Sequence, residues 1–290
     1  RSIACGGGSI AWVDPYTEAL RVGPRSAGSE PGPACYGRGG TEATVTDANL
    51  VLGRLDPQTP LSGVQLDVEA ARAAVGRLAQ ELSLGVEECA RGIVRVANAE
   101  MVRALRVMTV ERGLDPRRFT LLAFGGAGPL HAAELADELG ITRILVPPAS
   151  GVLSALGLAA ADRRTQVQRT VLLRGDVLTD AALRAAVEEL RPAGDRVELA
   201  CELRYRGQAH ELTVKGAESA AELREAFGAL HEERYGYRDD DADVELVTLR
   251  VTGVDPGPAV ELRADESPPS LFVPDDWRQE QTAHGTVLTR

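Results

Sequence analysis

Lysine is almost missing from this chain: Lys215 is the one lysine among 32 basic side chains. Any anion site must therefore be made from arginine or from backbone N–H groups. Positive charge is also outnumbered, with 43 acidic side chains leaving a net charge of −11, which disfavours non-specific binding to nucleic acid or to an anionic membrane. No apolar run approaches the roughly 20 residues that span a bilayer. There are 4 cysteines, Cys5, Cys35, Cys89 and Cys201. None forms a C-x-x-C pair, which argues against a local zinc knuckle. No signal peptide is recognisable, so reduced thiols and a cytoplasmic location are the expectation. The sequence starts at Arg rather than Met, and we read it as a fragment of something longer.

What is present falls into three parts. Residues 1–60 are rich in Gly and Pro with short apolar runs, "SIAWV" and "TVTDANLVLGRL", a composition that favours short strands and shaped loops over long helices. From Asp67 to Asp162 the apolar period is helical. Val68, Ala71, Val75, Leu78 and Leu82 predict a helix with Asp67 as N-cap and Gly85 as its stop. A second, long buried helix is expected from about Val86 to Arg112, with Gly113 beyond it. "FTLLAF" (Phe119 to Phe124) reads as a strand, "GPLHAAELADELG" as a helix ending at Gly140, and "ITRILVPP" as a second strand. Strand, glycine turn, helix and strand make a βαβ unit, the element of parallel sheets.

From about Thr165 the pattern changes. "RVELACELRYRGQAHELTV" alternates like a hairpin, "SAAELREAFGALHEERYGY" is helical with Ser219 as N-cap, and Val244 to Val254 is a strand. The expectation is a ββαβ module, antiparallel and α+β. Ala264 to Ser270 reads as a linker before a short tail. The domain boundaries are accordingly 1–163 for an α/β core, 164–265 for the α+β module, and 266–290 for linker and tail.

Chemistry concentrates in glycine-rich segments. In "FGGAGPLHA" (Phe124 to Ala132) the strand ends at Phe124, so Gly125 and Gly126 lie at its carboxyl end, where open α/β sheets bind ligands. Glycines there admit a flat ring or a phosphate, and the helix N-terminus offers free N–H groups. A tight turn requiring positive φ explains the same residues. The motif is neither G-x-G-x-x-G nor a P-loop. "CGGGSI" presents Gly6, Gly7 and Gly8, either a nucleotide loop or a hairpin turn. The Gly- and Pro-rich stretch from Gly28 to Leu50 reads as an extended loop of defined shape. Arg21, Arg25 and Arg38 are candidate anion ligands. Asp47 is a candidate metal ligand or proton acceptor, and His131 a candidate hydrogen-bond donor to a bound ligand. Cys35 lacks a sequence-evident His partner and reads as a structural thiol; His210 and His231 read as structural.

The segments "GGGSIAWVD", "RVGPRSAGSEPGPACYGRGGTEATVTDANLVLGRL", "ERGLDPRRFTLLAFGGAGPLHAAELADELGITRILVPPASGVLSALGLAAAD" and "RYRGQAHELTV" with "LHEERYGYRDDDADVELVTLRV" resemble the C-terminal half of hydantoinase A and 5-oxoprolinase proteins. The resemblance runs in order through nearly the whole chain. It implies part of an α/β lobe of the actin, Hsp70 and sugar-kinase type, whose two related lobes close around ATP. It also implies an activity: phosphorylation of a carbonyl oxygen by ATP, then ring opening of a small cyclic amide such as 5-oxoproline or a hydantoin. Relatives in acetone and acetophenone carboxylases use ATP for carboxylation instead.

In that fold Gly125, Gly126, Ala127 and Gly128 correspond to the adenosine motif, and Gly6, Gly7 and Gly8 follow a phosphate motif. Two D-x-G-G-T motifs that handle phosphate and magnesium belong upstream of Arg1 and are not in this sequence. The chain alone is therefore expected to bind nucleotide weakly and not to turn over substrate. The resemblance implies as partners the N-terminal half of the same protein and a hydantoinase B-like subunit or domain. An inactive fragment acting as an interaction module is the third reading.

Overall fold

The computed structural model describes residues 6–61, 63–260 and 270–290. Ten strands and seven helices are found among them. The chain divides into two compact units: one holds the described residues up to Leu156 and again from Ser270 to Arg290, the other Gly157–Val260. Cys5 and most of the expected linker at Ala264 to Ser270 lie outside the described residues.

The first unit opens with β1 (Ser9–Val13) and β2 (Leu20–Ser26), an antiparallel pair. Within "TVTDANLVLGRL", where the composition favours short strands and shaped loops, the chain makes the short helix α1 (Val45–Val51). The reason is local: Thr44 and Asp47 form a capping box, the Thr44 side chain accepting from the Asp47 N–H while the Asp47 carboxylate accepts from the Thr44 N–H. Next come α2 (Val68–Glu81), capped by Asp67 as expected, and α3 (Val86–Met108). Gly85, expected as the stop of α2, is instead the N-cap of α3. Helices α1 to α3 bury Val45, Ala48, Val75, Ile93 and Cys89 in one core.

The βαβ unit is present. β3 (Leu121–Leu122) is shorter than expected, followed by α4 (Gly128–Leu139), with Gly140 at φ 68° closing it, and β4 (Arg143–Val146), parallel to β3. α5 (Leu153–Ala159) spans the boundary between the units.

The second unit is β5 (Arg163–Arg174), α6 (Asp180–Leu190), β6 (Arg196–Tyr205), β7 (Leu212–Lys215), α7 (Ala220–Tyr235) and β8 (Val244–Asp255), with sheet order β5-β8-β6-β7. The expected ββαβ set is therefore preceded by a strand and a helix, all pairings being antiparallel. β5 gave little sequence signal because it is an edge strand with eight exposed residues in succession from Arg163, so neither face requires apolar residues. Leu203, Leu223, Phe227, Leu246 and Leu249 form its core.

The end of the chain is more than a tail. β9 (Arg278–Thr282) and β10 (Gly285–Thr289) form a hairpin, and β10 pairs antiparallel with β4, giving a sheet β3-β4-β10-β9 in the first unit. β9 is polar and largely exposed, which hid it from a periodicity reading. Leu288 and Trp277 join Ile144, Val146 and Ala136 in the core beneath α4. Replacing the fully buried Leu288 by Ala should therefore destabilise the first unit by about 3 kcal/mol. Urea unfolding followed by hydrogen exchange in β4 reads this directly; an unchanged midpoint would mean that the hairpin contributes nothing to the core.

Candidate functional site

The parallel pair β3 and β4 ends in two loops on one edge. Gly125 at φ 85° turns the chain out of β3, and its N–H donates to the Ser150 carbonyl, 2.8 Å away, in the loop after β4. Only a residue without Cβ adopts that φ readily, so Gly125 is required by the turn itself. Gly126 differs. Its φ is not positive, and a Cβ built there would meet nothing within 4 Å. Neither backbone conformation nor packing among the described residues explains why it is glycine. Its carbonyl accepts a hydrogen bond from Ser270 Oγ, so the segment before β9 straps the turn. Ala127 is the N-cap of α4 without a side-chain cap, and Gly128 begins the helix, with Pro129 in the first turn. Pro at this point removes a donor the helix could not use.

The first glycine segment lies beside the second. A Cβ on Gly7 would sit 2.6 Å from Thr46 Oγ1 and 3.9 Å from the Ala127 methyl. Gly7 is therefore glycine because Thr46 fills the space, and that approach sets the two segments side by side. Thr46 N–H also donates to the Gly7 carbonyl at 2.8 Å, and Ala27 N–H to that of Gly8 at 2.8 Å. A Cβ on Gly6 would meet nothing within 4 Å.

Asp47 sits at the base of this arrangement, fully buried. Its carboxylate accepts from the N–H groups of Ala34 (3.2 Å), Cys35 (2.8 Å) and Thr44 (2.9 Å) and from Thr44 Oγ1 (2.7 Å). Three of those four donors fall on Oδ2 and one, the Cys35 N–H, on Oδ1. In this geometry the carboxylate anchors the Gly- and Pro-rich loop to α1. Burial, with the Asp47 charge beside it, pushes the Cys35 thiol far above its usual range, so it stays protonated and inert. Burial likewise raises Cys89 and Cys201 to about 11. Arg21 pairs with Asp14 at 3.5 Å and Arg25 with Glu42, while Arg38 is exposed without a partner among the described residues.

His131 is 1% exposed in the first turns of α4. The Asn98 amide on α3 donates through Nδ2 to Glu134 Oε2, which leaves Oδ1 as the acceptor for His131 Nδ1–H at 2.7 Å. The ring's proton is thereby committed, and Nε2 is a buried acceptor without a partner among the described residues. The ligand-donating geometry expected from sequence is not the one found. Glu134 in turn is held by both guanidinium nitrogens of Arg54, which lies 4.7 Å over the Phe272 ring. Sequence reading missed Asn98, Glu134 and Arg54; the available signal was an Asn on the apolar side of α3 and a Glu three residues after His131. It also missed Ser150, whose buried Oγ has no partner among the described residues and which follows Ala149 at φ 54°. His231 is buried in the second unit, Nδ1–H donating to the Tyr237 carbonyl and Nε2 facing Gln208; exposed His210 packs on Tyr235. Among the described residues, no group of three or more His, Cys, Asp or Glu is placed to hold a metal ion. No helix there is long and apolar enough to cross a membrane.

The family model for hydantoinase/oxoprolinase matches residues 1–167. The chain belongs to the hydantoinase/oxoprolinase family. Caprolactamase subunit alpha of Pseudomonas jessenii is 36% identical over 321 residues, covering 98% of this chain and 46% of that protein. 5-oxoprolinase 1 of Arabidopsis thaliana is 34% identical over 303 residues, covering 92% and 24% respectively. Nucleotide-free acetone carboxylase, an enzyme of ATP-dependent acetone carboxylation, superposes with a TM-score of 0.72 at 27% identity, covering 93% of this chain and 41% of that one. The chain thus spans less than half the length of these relatives.

Two outcomes test the site's foundations. Asp47→Ala strands four buried donors and should cost roughly 3 kcal/mol or more of unfolding free energy, read by urea titration. His131 carries a pH signature. Burial, with Arg54 nearby, lowers its pKa to about 4 against the pull of Glu134. The folded state then binds fewer protons than the unfolded one between that value and about 6.5, so this contribution is fully present above 6.5 and is lost as pH falls towards 4. Its size is roughly 3 kcal/mol. In His131→Gln, stability should fall less between pH 7 and 4 than in the parent; parallel pH curves would contradict a buried neutral histidine.

Proposed function

We propose that this chain is the C-terminal part of an ATP-dependent cyclic amide hydrolase, with the Gly125–Gly128 turn taking the adenosine side of the nucleotide and Gly6–Gly8 lying towards its phosphates. The observation that carries this is Gly126: a glycine required neither by its φ nor by its neighbours, at the carboxyl end of a parallel strand pair where ligands enter α/β sheets. A flat base lying against a backbone without Cβ accounts for it. The open space at Gly125 and Gly126 and the adjoining N-terminus of α4 suit such a ring and its polar edge.

The family supports the wider reading. In it, the unit around α4 is part of an actin-like or sugar-kinase-like lobe, magnesium accompanies the nucleotide, and the residues that manage phosphate come from the N-terminal half of the protein. When bound, ATP would supply the phosphoryl group that makes the amide carbonyl carbon electrophilic enough for water to add and the ring C–N bond to break. This chain's own residues shape the cleft and exclude water from it. Three buried free thiols, Cys35, Cys89 and Cys201, suit a reducing cytoplasm. The likeness to acetone carboxylase favours a second reading, in which the same nucleotide site serves the ATP-using subunit of a ketone carboxylase. A hydantoinase B-like chain fits either as partner.

Gly126→Ala separates site from turn. Because a Cβ there meets nothing within 4 Å among the described residues, stability should stay within about 0.5 kcal/mol. Calorimetric titration of the full-length protein with Mg-ATP should show affinity falling at least about tenfold, since a Cβ intrudes where the base lies. Unchanged affinity would reduce "FGGAGPLHA" to a turn.

A further inference from the structure

Gly126 has the freest backbone of the turn, yet its carbonyl is held. A glycine with no Cβ contact and no positive φ to keep has more conformational freedom than any other residue type. Left alone, its peptide plane would sample several orientations, and a ligand would have to stop that motion on binding. The Ser270 hydroxyl removes the choice. It donates to the Gly126 carbonyl from 144 residues away in sequence, and Ser270 is itself buried, 4% exposed. Gly125 is held independently, its N–H donating to the Ser150 carbonyl at 2.8 Å.

The serine is placed by the residues that follow it. Leu271 packs on the core beneath α4, and Phe272 packs on the core of α1 to α3 with the Arg54 guanidinium 4.7 Å over its ring. Arg54 is in turn paired with Glu134 of α4. Burial and a cation over an aromatic ring therefore anchor this segment without help from the hydroxyl. What the hydroxyl adds is orientation. In the trans peptide between Gly126 and Ala127, the carbonyl of the first and the N–H of the second point in opposite directions across one plane. Fixing the carbonyl towards Ser270 fixes the Ala127 N–H away from it. That N–H has no acceptor among the described residues, and no side chain caps α4. We propose that Ser270 is a positioning residue of the nucleotide site: by holding the Gly126 carbonyl it presets the peptide plane against which the base lies and turns the Ala127 N–H towards the ligand. This inference rests on the nucleotide reading of the turn.

Calorimetric titration of the full-length protein with Mg-ATP tests it, with Ser270→Ala and Gly126→Ala run beside the parent. Ser270→Ala deletes one oxygen and leaves Leu271 and Phe272 in place, and unchanged far-ultraviolet circular dichroism confirms that the fold survives. Its dissociation constant should rise at least about fivefold with the binding stoichiometry unchanged, because the ligand must then order the turn itself. A hydroxyl with a merely structural role would act on the folded fraction instead: stoichiometry would fall while the dissociation constant of the remaining protein kept the parent's value. That result overturns the inference. So does Ser270→Ala binding like the parent while Gly126→Ala binds more weakly, since the turn then meets the nucleotide without Ser270. If both variants bind like the parent, or the parent gives no heat, the nucleotide reading itself fails and the inference falls with it.

Discussion

A single buried carboxylate sets the geometry of the first unit. Asp47 has no water to solvate it and collects four hydrogen bonds instead, from Ala34, Cys35 and both polar groups of Thr44. Two of those donors, Ala34 and Cys35, lie in a loop that also contributes Ala34, Cys35 and Ala43 to the core, so polar satisfaction and burial hold it in shape together. The other two start α1. Starting that helix at Thr44 places Thr46 under Gly7, and the contact sets the first glycine segment beside Ala127. The Asp47 carboxylate thus fixes the position of both segments.

The glycines of the candidate site have different physical origins. Gly125 answers to a positive φ and Gly7 to a neighbouring hydroxyl, so both would be glycine in a protein that bound nothing. Gly126 answers to neither. Among the described residues, four buried side-chain atoms lack a hydrogen-bond partner, Asn49 Oδ1, His131 Nε2, Ser150 Oγ and Trp277 Nε1, and all four belong to the first unit. The strap from Ser270 to the Gly126 carbonyl ties the turn to the end of the chain, which also completes the sheet through β10.

Elements with a strong apolar period were legible beforehand: α2, α3, α4, α7, the hairpin of β6 and β7, and the parallel pairing of β3 with β4. α6 and β10 were missed although they carry apolar residues, Leu183 and Val187 in one and Val287 and Leu288 in the other, because each is short; the other misses had little apolar content to read. β5 and β9 are exposed edge strands, and α1 is a short helix made by a capping box inside a Gly- and Pro-rich stretch. At the site, glycine position was readable because spacing and strand ends mark it. The hydrogen-bond logic of His131 was not, because it depends on Asn98 and Glu134, and Asn98 comes from another helix. Family resemblance implied a nucleotide motif, while the structure separated the glycine that packing does not require from those that it does.

The central claim is that a base lies against Gly125 and Gly126. Photolabelling the full-length protein with 8-azido-ATP, followed by peptide mapping, tests it most directly. The account predicts an adduct in the peptide containing Phe124 to Ala132, or in the Ser150 loop bonded to it, that excess ATP suppresses. Labelling confined to other segments, with this turn left unmodified, would contradict it.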